Sequence, residues 1–215
     1  MAKHHPDYQF LTDYAAGSLS FGQSVCVGTH IEHCAECRQQ LERLNGLGAV
    51  LMEDLEPTEV SENLLNSVLN SIEKDLSPTP ARASKPAAGV PFTLSKLIPD
   101  GFDSLNWRRL GKIQTTTLAV GDNDFEVSLV RLPPGEKIGE HGHRGNELTV
   151  VLKGAFSDNH GVFRSGDFAY CNGDNQHQPT ATEDMECICL TAVDAPVRFT
   201  GLRSVLNPFL GIHPA

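Results

Sequence analysis

Three residues near the N-terminus stand at the spacing of metal ligands. His30, Cys34 and Cys37 form H-x3-C-x2-C. On a helix, positions four and three apart share a face, so the imidazole and the two thiolates can converge. Zinc favours four tetrahedral ligands of these types, which leaves one to be found elsewhere. His4, His5 and His33 are the candidates. His33 adjoins Cys34 and is poorly angled for the same ion. His5 is preferred, because Pro6 sets the chain direction directly after it. A closed site of His5, His30, Cys34 and Cys37 has no open position for substrate. It therefore predicts a structural zinc that ties a first helix to the junction of a second and third. C-x2-C alone also suits a redox pair, and ligation does not prevent thiolate oxidation.

A second group lies in the C-terminal half. Gly135, His141, His143, Glu147 and Gly154 follow one another as G-x5-H-x-H-x3-E-x6-G. Histidines two apart on a strand point to one side, and Glu147 can return to the same point from a neighbouring turn or strand. This string is the first motif of the cupins at full length. Gly166 and His177 stand at the spacing of the second cupin motif, with Asn172, Asp174 and Ala181 in place of its usual Pro, Gly and Asn. These departures spare the histidine, so the expected metal set is His141, His143, Glu147 and His177. Three imidazoles and a carboxylate leave one or two open positions on a six-coordinate ion, and zinc, iron, manganese and nickel all accept them. An open position serves catalysis or the sensing of an oxidant. No GxSxG, P-loop or dinucleotide fingerprint accompanies it, and no catalytic residue is assigned. Cys187 and Cys189 share one side of a strand and read as small core residues; Cys26 and Cys171 read as structural.

The elements that must position these groups change character along the chain. Pro6 suits the first turn of a helix ending near Gly17, and Ser20 suits the cap of one running to about His33. A third helix follows Cys34 and carries Leu41, Leu44, Leu47 and Leu51. A fourth, from about Thr58 to Asp75, carries Val60, Leu64, Val68 and Ile72 at four-residue intervals, a stripe fit for a core or for a partner. Residues 76–95, rich in Pro and Ala, read as a linker. From residue 96 the period turns to two: LTVVLKG, FRSGDFAYC and MECICLTAV are separated by Gly, Pro, Asn and Asp, which predicts a β-sandwich or barrel; the resemblance to the cupin motifs implies that it is a jelly-roll barrel. The expected fold is α+β in two domains: a helical bundle over 1–75 and an all-β domain over 96–215.

The 215 residues carry 17 basic and 27 acidic side chains, a net charge of −10. Residues 1–80 hold four basic and twelve acidic side chains, a net of −8. An acidic chain is a poor binder of nucleic acid or anionic membrane, and the bias suits a basic protein partner. No apolar run approaches a membrane span, and no secretory signal is visible, so a cytoplasmic location is expected.

HHPDYQFLTDYAAGSLS followed by HIEHCAECRQQLERL resembles the zinc-containing anti-sigma domain, and its combination with a downstream cupin is similar to the ChrR-type anti-sigma factors. The resemblance spans essentially the whole chain. It implies a helical clamp on a group IV (extracytoplasmic-function) sigma factor, with one-to-one stoichiometry. It also implies release of that factor on an oxidative signal, of the singlet-oxygen or organic-hydroperoxide type, received by the cupin. The fourth helix would share in the partner contact. A small metal-dependent dioxygenase or isomerase with an accessory helical domain is the alternative.

Overall fold

The computed structural model describes residues 2–61, 63–75 and 86–200. Helix α1 (Tyr8–Ala15) starts where the Asp7 side chain accepts the Phe10 N–H, one residue after the proline expected in its first turn. Helix α2 (Phe21–His33) starts at Ser20, whose hydroxyl accepts the Gln23 N–H while the Gln23 side chain accepts the Ser20 N–H. These reciprocal bonds satisfy amides that the first helical turn leaves without partners. The chain turns extended at Cys34 and re-enters a helix as α3 (Ala35–Glu53). Helix α4 covers Leu64–Asp75, so it begins six residues later than expected. Pro57, Thr58 and Val60 resist helix formation through a missing amide donor or a branched Cβ.

Among the described residues twelve strands follow: β1 (Arg108–Leu110), β2 (Ile113–Leu118), β3 (Glu126–Leu132), β4 (His141–Gly142), β5 (Glu147–Lys153), β6 (Ala155–Asp158), β7 (Gly161–Arg164), β8 (Phe168–Cys171), β9 (Gln176–His177), β10 (Thr180–Ala181), β11 (Cys187–Val193) and β12 (Arg198–Phe199). All described pairings are antiparallel; they build one six-stranded sheet in the order β1-β2-β3-β11-β5-β8 and two three-stranded sheets, β10-β6-β7 and β12-β4-β9. This is the all-β domain that the short strands predict, with the stacked sheets that the cupin motifs imply.

The central strands β5 and β11 of the large sheet are buried on both faces. Along β11, Cys187 and Cys189 enter a core with Phe156, Phe163 and Ala181, while Ile188 and Leu190 enter another with Leu11, Val25, Val27 and Ile31 of α1 and α2. Strand β5 divides likewise, Val151 to the first core and Leu148, Val150 and Leu152 to the second. Two-sided burial explains why LTVVL reads as a continuous apolar run rather than an alternation. Helix α2 approaches so closely that a Cβ on Gly22 would lie 2.9 Å from the Phe125 Cβ.

The chain divides into two compact units. One joins the residues up to Asn45 with those from Pro86 onward, and the other is Gly46–Lys85. Of the segment read as linker, 76–85 lies outside the described residues. Residues 86–95 include buried Val90 and Leu94 and a 3-10 turn, Phe92–Leu94, whose Phe92 and Thr93 amides donate to the Glu32 carboxylate of α2 at 2.7 and 2.5 Å.

In the second unit the α4 stripe remains exposed. Leu64, Leu65, Val68, Leu69 and Ile72 are related by three- and four-residue spacings (64/68/72 and 65/69/72) that put them on one face, with 44–67% of their surface open. Among the described residues no helix is long and apolar enough to cross a membrane.

Candidate metal centres

The bend at Cys34 between α2 and α3 turns the ends of both helices toward the segment before α1. His5, His30, Cys34 and Cys37 meet there, with one ligand atom from each within 4.8 Å of all the others. The His5 Nδ1 lies 3.3 Å from Cys34 Sγ and 3.4 Å from Cys37 Sγ; the His30 Nε2 lies 3.2 Å from Cys37 Sγ. A tetrahedral zinc with ordinary Zn–N and Zn–S bonds separates its nitrogen and sulfur ligands by about 3.5 Å. The donor set and its spacing therefore fit such an ion. His4 turns away and lies against the Phe163 ring, 4.3 Å between centroids.

The electrostatics agree. Burial pushes the His30 imidazole down to about 4, against the opposing pull of the Gly166 carbonyl, so the ring is neutral at physiological pH, as a ligand must be. Its Nδ1 donates to that carbonyl at 2.7 Å, which leaves the Nε2 lone pair facing Cys37. Burial, then the neighbouring Cys34 thiol, pushes Cys37 up to about 12. A thiolate there needs a cation beside it, and metal binding would expel the thiol proton.

The second centre sits in the small sheet β12-β4-β9 and the loop after it. His141 on β4 pairs directly with His177 on β9. The His177 Nε2 lies 3.1 Å from the Nε2 atoms of both His141 and His143, and all three residues are buried. Partners behind the rings fix which nitrogen carries the proton. His141 Nδ1 donates to the Gly139 carbonyl at 2.8 Å, and His177 Nδ1 lies 2.9 Å from an Asp158 carboxylate oxygen. Their Nε2 atoms consequently face one another, and a cation bound between them would take the place of any proton shared there. Nitrogens on adjacent octahedral positions of a transition ion lie about 3 Å apart, which matches the observed spacing.

Burial lowers the pKa of His141 and His143 despite the Glu147 charge. His177 goes the other way: burial opposes its charge, but Asp158 beside it raises it to about 10. An imidazole backed by a carboxylate is a strengthened metal ligand.

Glu147 does not join the three converged nitrogens. Its Oε2 lies 3.5 Å from His143 Nδ1, and its Oε1 accepts the Thr149 hydroxyl at 3.0 Å. Cys171 Sγ lies 3.9 Å from His177 Nδ1, and Cys187 and Cys189 bring their sulfurs within 3.6 Å in the core. Asp158 and the Gly166 carbonyl escaped the sequence reading. Asp158 had one available signal, a carboxylate in a strand run between the two histidine motifs; the Gly166 carbonyl had none, because a backbone atom 136 positions from its partner leaves no trace in spacing.

With this geometry in place, the comparisons are specific. The model of the ChrR cupin-like domain matches residues 102–195. The anti-sigma-E factor ChrR of Cereibacter sphaeroides is 37% identical over 212 residues, 98% of this chain and 99% of that protein. The crystal structure of Rhodobacter sphaeroides SigE in complex with the anti-sigma ChrR contains a chain 34% identical to this one, with a TM-score of 0.79 over 90% of this chain and 100% of that chain. An end-to-end match at that identity, on a chain that carries both histidine clusters, establishes that the protein belongs to the ChrR family of anti-sigma factors.

Proposed function

We propose that this chain is a cytoplasmic regulator that sequesters an extracytoplasmic-function (group IV) sigma factor one to one. The observation that carries the reading is the exposed α4 stripe: five large aliphatic side chains on one helix face, open to solvent. Apolar surface concentrated in this way marks a protein-binding face, and an amphipathic helix binds a partner through just such an array of anchors. The partner named for the solved relative is the sigma factor SigE. The acidic charge of residues 1–80 complements a basic partner and disfavours direct contact with nucleic acid. Residues 1–75 form the partner-binding part and 96–215 the sensing part.

The ion at His5, His30, Cys34 and Cys37 is a structural zinc. The second ion, zinc or another divalent transition metal, is held by His141, His143 and His177; Glu147 would complete the set by leaving its contacts with His143 Nδ1 and Thr149. The cupin part receives an oxidative signal, of the singlet-oxygen or organic-hydroperoxide type, at its metal or its thiols. The signal acts by favouring the partner-free state or by exposing the chain to proteolysis.

Co-expression with an extracytoplasmic-function sigma factor tests the reading. The expected result is a stable one-to-one complex and silencing of the sigma-dependent promoter, both lost when Cys34 and Cys37 are replaced by Ala. Absence of a complex with the native chain, or full repression by the double variant, would overturn it.

A further inference from the structure

The metal set at the N-terminus needs His5, yet His5 precedes α1 and belongs to no regular element. Something must hold it against the two cysteines. The surroundings show what does, and it comes from the β-domain. Asp167, in the turn between β7 and β8, is 2% exposed. Its Oδ1 accepts the backbone N–H of Lys3 at 2.5 Å and of His4 at 3.1 Å, and its Oδ2 accepts the Arg164 N–H at 2.7 Å. The next residue completes the clamp, since the Phe168 N–H donates to the His4 carbonyl at 3.0 Å. Both peptide groups of His4 are thereby tied to one turn, and its ring is seated on Phe163 of β7. In extended backbone, successive side chains point to opposite sides. Seating His4 on the β-domain therefore aims His5 at Cys34 and Cys37.

The same turn serves a second ligand. The carbonyl that accepts His30 Nδ1–H belongs to Gly166, immediately before Asp167. Gly166 holds a φ of +90°, and a Cβ there would lie 2.8 Å from the His33 Cβ. One three-residue turn thus orients two of the four donors, although it lies 136 positions from His30 and 163 from His4 in sequence.

We propose that Asp167 is a positioning residue of the Cys34–Cys37 metal site, and that the site is consequently shared between the helical region and the β-domain rather than built by the helices alone. This rests on the proposed metal at that site. Asp167 touches no metal; it acts through the backbone of residues 3 and 4 on His5, while its neighbour acts on His30. Loss of such outer partners typically weakens metal binding by about 10- to 100-fold.

The test uses the full-length chain loaded with cobalt(II), whose thiolate charge-transfer band reports the cysteine site apart from the all-histidine one and whose d–d bands report ligand number. Zinc displacement of cobalt and competition with a chromophoric chelator give the affinities. Asp167→Ala should keep the charge-transfer band but weaken binding at the cysteine site by about 10- to 100-fold, with d–d bands altered by loss of His5. Affinity at the histidine site should be unchanged. Asp167→Asn, which retains one acceptor oxygen, should recover part of the loss. If Asp167 merely stabilises its turn, the melting temperature falls while affinity and d–d spectrum stay as in the native chain, and the proposal is overturned. Should Asp167→Ala fail to accumulate folded, Lys3→Pro deletes one donor at an exposed residue, and a several-fold loss of affinity is expected; an unchanged affinity would again overturn it. A native chain with no thiolate–cobalt band would instead refute the metal reading itself.

Discussion

Leu65→Asp separates partner binding from folding. Leu65 is 67% exposed and is the second residue of α4. A carboxylate in the first turn of a helix is favoured by the helix dipole, so the free protein should lose little, within about 0.5 kcal/mol. Burial in a complex is another matter. Covering the open two thirds of a leucine contributes roughly 1–2 kcal/mol, and forcing a carboxylate into the same apolar contact adds about 1–2 kcal/mol more. The sum of about 3 kcal/mol corresponds to a Kd about 100-fold weaker. Leu65→Ala, which only trims the side chain, should cost about 1 kcal/mol, or roughly fivefold. Titration of a labelled sigma factor by fluorescence anisotropy measures both, and thermal unfolding of the free variants checks the fold. A Kd for Leu65→Asp within threefold of the native value, with the native complex intact, would show that this face does not dock the partner.

Other perturbations follow from individual contacts. Asp158→Asn removes the carboxylate 2.9 Å from His177 Nδ1 and should lower metal affinity at the three-histidine site by about 10- to 100-fold in chelator competition; an unchanged affinity would deny Asp158 that role. Ser20→Ala deletes the α2 capping box and should destabilise the protein by about 1 kcal/mol in urea unfolding, with less than 0.3 kcal/mol counting against the cap. Asp122 supplies a pH dependence. Burial would raise its carboxyl, but the N–H groups of Gly22, Asp124 and Phe125 and the Ser20 side chain outweigh that and hold it below the usual carboxylate range. A group with a depressed folded pKa stabilises the fold above its unfolded pKa and loses that contribution as pH falls through the folded value. The stability gap between the native chain and Asp122→Asn should therefore be constant from neutral pH to about 5 and shrink below about 4. A gap independent of pH down to acid unfolding would contradict the assignment.

Spacing made much of both centres legible. H-x3-C-x2-C works because its three positions lie where one helix ends and the next begins, so local geometry decides their convergence. Choosing His5 over His4 through Pro6 pointed to the residue that the structure places at the cysteines, although the cause of its placement is the Asp167 clamp, which no local pattern reveals. Ser20 was recognisable because a cap adjoins the helix that it starts; the reciprocal bond from Gln23 came only with the structure. The start of α4 was not, because a four-residue apolar rhythm extends back to Val60 while Pro57, Thr58 and Val60 oppose helical backbone. Outer partners such as Asp158 and Gly166 depend on contacts between strands and helices far apart in sequence, and spacing carries no record of them.

Strand β5 shows how the two regions are physically joined. Its odd residues, Glu147, Thr149 and Val151, face the side on which His143 and the inner core lie; its even residues, Leu148, Val150 and Leu152, pack into the core shared with α1 and α2. One edge of β5 pairs with β8, placing Glu147 opposite Cys171, and β8 begins at Phe168, which donates to the His4 carbonyl. Close-packed interiors transmit strain, and these two strands are the packed connection between the regions. The covalent route between the metal clusters passes through residues 46–85, but the shorter route is this pair of strands. The hydrogen-bonded path from Glu147 to the segment that presents His5 thus runs through β5 and β8 alone.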